Sequence, residues 1–265
     1  MKKRAFTLIE LLVVIAIIAL LLSIIVPSLQ TAKKKAAGAV CMSRERNLVL
    51  AYTLYTDDND GELINSDTQP QDSRATYWVE PPLEWTIEGR KEGIRRGGLF
   101  PYIESIDFYH CPGDRRIGNP EGDGTCAFRS YSIPAGLFSW WASEENTYEN
   151  EWRTDHISYR KMSKIKNPSG SMCFVEEAEM ESGFNEHSWA LYVASDRWYD
   201  PLAIYHVDSS TMGFVDGHAM SRRWRDPRTI EMFELGEKGG GDSPIESDNV
   251  DLEWLQAHYA YESLK

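Results

Sequence analysis

Twelve consecutive apolar residues run from Leu11 to Leu22, and from Phe6 to Pro27 the only charged side chain is Glu10. About 21 residues at ~1.5 Å rise make a helix of about 31 Å, long enough to cross the hydrocarbon core of a bilayer. Lys2, Lys3 and Arg4 precede the stretch, and Lys33, Lys34 and Lys35 follow it. Whatever else the chain builds must be compatible with one membrane-length helix near its start.

Glu10 is the unexpected residue. A carboxylate inside a membrane helix costs on the order of a few kcal/mol at mid-bilayer and normally has a partner or a task. Three readings of the segment differ in how they treat it. A secretory signal peptide has a basic start and an apolar core, but a shorter, acid-free core followed by a small-residue cleavage site. A plain anchor accounts for the length and leaves Glu10 unexplained. In the third reading, Met1-Lys-Lys-Arg-Ala5 is a short basic leader and Phe6-Thr-Leu-Ile-Glu10 opens the mature chain.

Those residues, with Pro27, resemble the prepilin signal of type IV pilins and type II secretion pseudopilins. The resemblance implies cutting between Ala5 and Phe6 by a prepilin peptidase, with N-methylation of Phe6. The residue before the cut departs from the pattern, since the family has Gly where this chain has Ala5. It further implies a filament in which the helices bundle and Glu10 pairs with the Phe6 amine of a neighbouring subunit. A buried carboxylate is tolerable when paired, and a single polar group can set register in an apolar helical core. Implied partners are other pilin or pseudopilin subunits, the prepilin peptidase, an inner-membrane assembly platform and membrane lipid. Implied placement is single-pass in the bacterial inner membrane, N-terminus cytoplasmic. The leading cations favour that orientation, and Lys33 to Lys35 partly oppose it.

Net charge decides one exclusion. The chain of 265 residues carries −13 at pH 7, and losing Lys2, Lys3 and Arg4 would take it to −16. Nucleic-acid binding needs a basic surface, so no nucleic-acid partner is expected. The four cysteines, Cys41, Cys111, Cys126 and Cys173, admit three full pairings. Cys111 and Cys126 flank a loop rich in Gly, Pro and Asp and are the favoured disulfide, whereas the lack of any CxxC spacing argues against zinc.

The expected architecture is α+β and pilin-like. A helix from Phe6 to about Tyr55 is half transmembrane (6–27) and half amphipathic (28–56), with Leu48, Ala51, Tyr52 and Tyr55 as its apolar stripe. Pro27 should kink it. A head over 57–235 follows, then a Gly-rich linker and final helix over 236–265. Asp57-Asp-Asn-Asp-Gly61 stops the long helix, since acids oppose the C-terminal dipole and Gly61 tolerates a left-handed turn. Thr56, Asp58, Asp60, Gly61 and Asp67 also fall near EF-hand spacing, which makes calcium (Ca2+) a candidate ligand there, although no cofactor is required. Strands are expected over Ser130–Pro134, Ser171–Glu176, Leu202–Val207 and on both sides of Asp216-Gly217, an Asp-Gly hairpin signal. Glu176, Glu177 and Glu179 read as a solvated edge. His206, nine residues and Asp216-Gly217 resemble a signature of the same prepilin-like group. It is either a turn with a hydrogen-bonded His206, or a metal set of His206, Asp208, Asp216 and His218.

No Gly-x-Ser-x-Gly or His-Glu-x-x-His occurs, so a filament subunit without chemistry of its own is favoured. The alternatives are a membrane-anchored hydrolytic domain, or a carbohydrate-binding one using Trp140 and Trp141.

Overall fold

The computed structural model describes residues 7–68, 76–84, 86–114, 116, 128–139, 156–178, 188–193, 195–235 and 246–263. The first element, α1, is one helix of 51 residues, Leu8–Asp58, and it continues through Pro27. Thr7 is its N-cap. At the other end Asn59 is the C-cap and Asp60 takes a left-handed φ of 53°. Gly61 N–H then donates to the Thr56 carbonyl at 2.7 Å, the hydrogen bond of a Schellman stop. The acidic run therefore ends the helix as expected, with Asp60 making the first left-handed step and Gly61 (φ 78°) the second.

Burial along α1 begins at Gly38 and recurs at Cys41, Glu45, Leu48, Val49, Tyr52 and Thr56. Steps of three and four residues make a single stripe on one side of the helix. That stripe lies on a four-stranded antiparallel sheet ordered β1-β3-β4-β5, formed by Tyr131–Ser132, Met172–Glu176, Ser209–Phe214 and Ala219–Arg223. β2 (His156–Ile157) pairs with β6 (Glu262–Ser263) in a separate two-stranded ribbon. The sheet is covered on both faces, so β3 and β4 are buried along their whole length. On one face Cys173 and Phe174 pack with Leu48, Val49 and Tyr52 of α1. On the other, Met172, Val175, Met212 and Phe214 pack against α4 (Pro227–Leu235) and α5 (Val250–His258). A register shift between Met172 and Phe174 places two successive β3 residues on the α1 face.

Gly213 decides how close α1 comes. A Cβ there would lie 3.0 Å from Val49 Cγ2 and 3.2 Å from Glu45 Cβ, so the helix seats against bare backbone. The final helix is capped by Asn249, whose Oδ1 accepts from the N–H groups of Asp251 and Leu252 at 3.0 Å each. It docks on the head through Leu252 and Leu255.

Three expectations need correction. Leu202–Val207 is not a strand: Leu202 makes one isolated bridge to Glu177, and Val207 and Asp208 take positive φ, turning the chain into β4. Glu176 and Glu177 are buried rather than solvated. The stretch read only as polar and punctuated contains α2 (Ile87–Arg96), capped by Thr86, and the short α3 (Phe100–Ile103).

Candidate functional sites: a bare helix and a buried cluster

From Leu8 to Leu29 every residue of α1 is exposed among the described residues. Sixteen large apolar side chains there are between 46% and 78% exposed, and none of the most apolar 18-residue window is buried. Burying one such side chain is worth about 1.5–3 kcal/mol. Tens of kcal/mol therefore favour lipid or neighbouring helices over water for this segment, which is long and apolar enough to cross a membrane.

Glu10 begins this helix in a capping box. Its Oε2 accepts from Thr7 N–H at 2.8 Å and from the Thr7 hydroxyl at 2.7 Å, while Glu10 N–H donates to Thr7 Oγ1 at 3.3 Å. The carboxylate thus has a task inside its own chain, which the sequence reading did not include. Ala5 and Phe6 lie outside the described residues.

The His206 to Gly217 segment divides into two unrelated places. Asp216 and Gly217 form the β4–β5 turn, with Gly217 at φ 95° and its N–H donating to the Phe214 carbonyl at 2.9 Å. Asp216 Oδ1 accepts from His218 N–H at 3.1 Å and lies 2.6 Å from His218 Nδ1. This pair is exposed, at the opposite end of β4 from His206. The set His206, Asp208, Asp216 and His218 is therefore not assembled.

His206 instead turns inward and is 3% exposed. Its Nδ1 faces the Lys34 carbonyl of α1 at 3.2 Å, and its Nε2 lies 2.8 Å from Glu176 Oε1 and 3.5 Å from Cys111 Sγ. Cys111 Sγ lies 2.8 Å from Cys41 Sγ. Glu176 is held by Thr211 N–H, which donates to Oε2 at 2.7 Å. Burial works against the His206 imidazolium, but the hydrogen bonds and charges of Cys41 and Glu176 outweigh it and hold its pKa up at about 10. Burial pushes the Cys111 thiol up, while its hydrogen bond to Cys41 draws the Cys41 thiol down.

The other sequence-nominated residues stand apart. Cys126 lies outside the described residues, as do Trp140 and Trp141. Thr56 caps back onto the Thr53 carbonyl, Asp58 accepts from the Tyr102 hydroxyl at 2.9 Å, and buried Asp67 accepts from Ser139 and Ser188. Among the described residues, Asp58, Asp60 and Asp67 do not gather into a group of metal-binding size. Sequence reasoning missed the cluster because successive members are 30 to 70 residues apart, on no shared motif.

A long helix, apolar and bare over its first half and docked by its second half on an antiparallel sheet, is the pilin-like architecture. Residues 1–26 match the model of the prokaryotic N-terminal methylation motif. The chain thus carries the signal of a type IV pilin-like precursor. No curated protein and no solved structure matches the chain significantly.

Proposed function

We propose that the protein is a structural subunit of a type II secretion or type IV pilus-like filament, a pseudopilin that assembles through α1. The observation that carries this reading is the methylation motif lying on a helix whose apolar surface is exposed among the described residues. Prepilin peptidase cuts between Ala5 and Phe6, and Phe6 is N-methylated. Before assembly the segment spans the inner membrane, N-terminus cytoplasmic and head outside. After extraction, neighbouring helices replace lipid around the same apolar side chains. Glu10 then pairs with the methylated amine of an adjacent subunit, a charge match that fixes axial register.

The capping box makes this testable, because its two functions separate. Glu10→Gln keeps a box-competent side chain and removes the charge. Thr7→Val removes the cap and keeps the charge. The expected result is membrane-inserted, processed protein in both variants, with filaments from Thr7→Val and none from Glu10→Gln. Filaments from Glu10→Gln at the normal yield would refute the charge-pairing role. A native chain whose mass corresponds to an unprocessed Met1 start would refute the pilin reading.

A further inference from the structure

We propose that Cys41, Cys111, His206 and Glu176 form a structural zinc site that fastens the assembly helix to the head. The inference is independent of the filament reading. The four donors come from four separate segments: α1, the loop after a 3-10 turn at Ile106–Tyr109, the end of β3, and the loop entering β4. One ligand atom from each lies within 4.8 Å of all the others, and all four residues are buried. Donors around a tetrahedral zinc stand about 3–4 Å apart, so the Cys41–Cys111 and His206–Glu176 pairs, at 2.8 Å each, open by several tenths of an ångström to take the ion. Two sulfurs, an imidazole and a carboxylate are a donor set that selects zinc over calcium or magnesium.

Three features mark a built site rather than a chance meeting. First, the Lys34 carbonyl can only accept, so His206 Nδ1 carries hydrogen and Nε2 is the atom presented to the two thiols and Glu176. A histidine ligand is ordinarily oriented in this way by a carbonyl or carboxylate behind it. Second, Gly113 N–H donates to Cys111 Sγ at 3.2 Å, support suited to a thiolate. Third, glycines make the room. A Cβ at Gly38 would stand 3.3 Å from the His206 ring, and one at Gly113 would stand 3.4 Å from both Cys111 Sγ and His206 Cε1. Buried carboxylates and thiolates need a shared cation, and metal binding at such a site displaces the ligands' protons, the metal taking their place. One helical turn past Cys41, Glu45 adds a further fully buried carboxylate beside the cluster. With all four donors buried the site is closed, as structural zinc sites are, and it leaves no open position for a substrate.

The test uses the full chain purified in mild detergent without chelator. Elemental analysis should find one zinc per chain, and Cys41→Ser and His206→Ala should each drop well below that. Cobalt exchanged into the wild type should show the intense visible bands of a tetrahedral site and a near-ultraviolet thiolate charge-transfer band, which reads the native fold without any substitution. Thiol titration after denaturation in chelator should find both Cys41 and Cys111 reduced. A Cys41–Cys111 disulfide in that titration would overturn the proposal. So would free thiols in a chain that takes up neither zinc nor cobalt, or a cobalt spectrum without thiolate bands.

Discussion

Gly213→Ala tests the seat of α1 on the sheet. The new methyl would stand 3.0 Å from Val49 Cγ2 and 3.2 Å from Glu45 Cβ, where carbon atoms prefer about 3.5–4.0 Å. The helix or β4 must yield by about half an ångström. Overpacking of this kind costs about 1–3 kcal/mol. Against it, alanine restricts the unfolded chain and returns about 0.4–1 kcal/mol, and Gly213 has no positive φ to forbid a side chain. The net expectation is a loss of about 1–2 kcal/mol. Val49→Ala alone removes two buried methyl-sized groups and costs about 2 kcal/mol. In that background the nearest obstacle is gone and only the Glu45 contact at 3.2 Å remains, so adding Gly213→Ala should cost distinctly less, a coupling of about 1 kcal/mol. Urea unfolding of the full chain in mild detergent, followed through the fluorescence of buried Trp78, Trp189, Trp198 and Trp224, measures all four corners of the cycle. Equal penalties in both backgrounds, or stabilisation in the wild type, would refute the close-approach argument.

Further outcomes follow from other parts of the head. Burial opposes the Asp114 charge, but Arg116 at 2.7 Å and the Ser130 hydroxyl outweigh it and hold the carboxyl below its usual value. A depressed folded pKa gives stability that is present above about pH 4 and lost as pH falls through the lower folded value. Asp114→Asn should therefore cost about 3 kcal/mol near neutrality, by breaking the buried Asp114–Arg116 ion pair, and the gap from wild type should narrow in acid denaturation series. Gly217→Ala has open space around it but a φ of 95°. It should cost about 1–2 kcal/mol in urea unfolding and leave processing intact. Asn249→Ala removes a helix cap that also bonds Thr229 and Glu246. It should lower stability by about 1–2 kcal/mol and speed amide exchange first in α5.

How much of this was readable beforehand depends on whether the signal was local. The end of α1 was legible because Asp57 to Gly61 combines dipole mismatch with left-handed tolerance. The β4–β5 turn was legible because Asp216-Gly217 sits between apolar runs. Leu202 to Val207 misled because its apolar composition resembles a strand, while its actual course depends on Ala203 N–H donating to the Glu176 carbonyl and on two left-handed residues. α2 was missed because it buries little beyond Gly93 and Ile94. Its best clue was Thr86, whose hydroxyl accepts from Gly89 N–H at 3.0 Å. Glu176 looked solvated because nothing nearby in sequence announces Thr211 or His206. Clusters made by long-range closure leave no periodic trace.

The order in which the chain is made has a consequence for its folding. The stripe of α1 that begins at Gly38 is synthesised first, and its cover in β4 follows more than 150 residues later. At about 5–20 residues per second that is a wait on the order of 10–30 s. Throughout it, Leu48, Val49 and Tyr52 have no β4 to receive them. The nascent head is thus most vulnerable to aggregation and proteolysis before β4 emerges, and a chaperone acting on this protein would find its earliest target there.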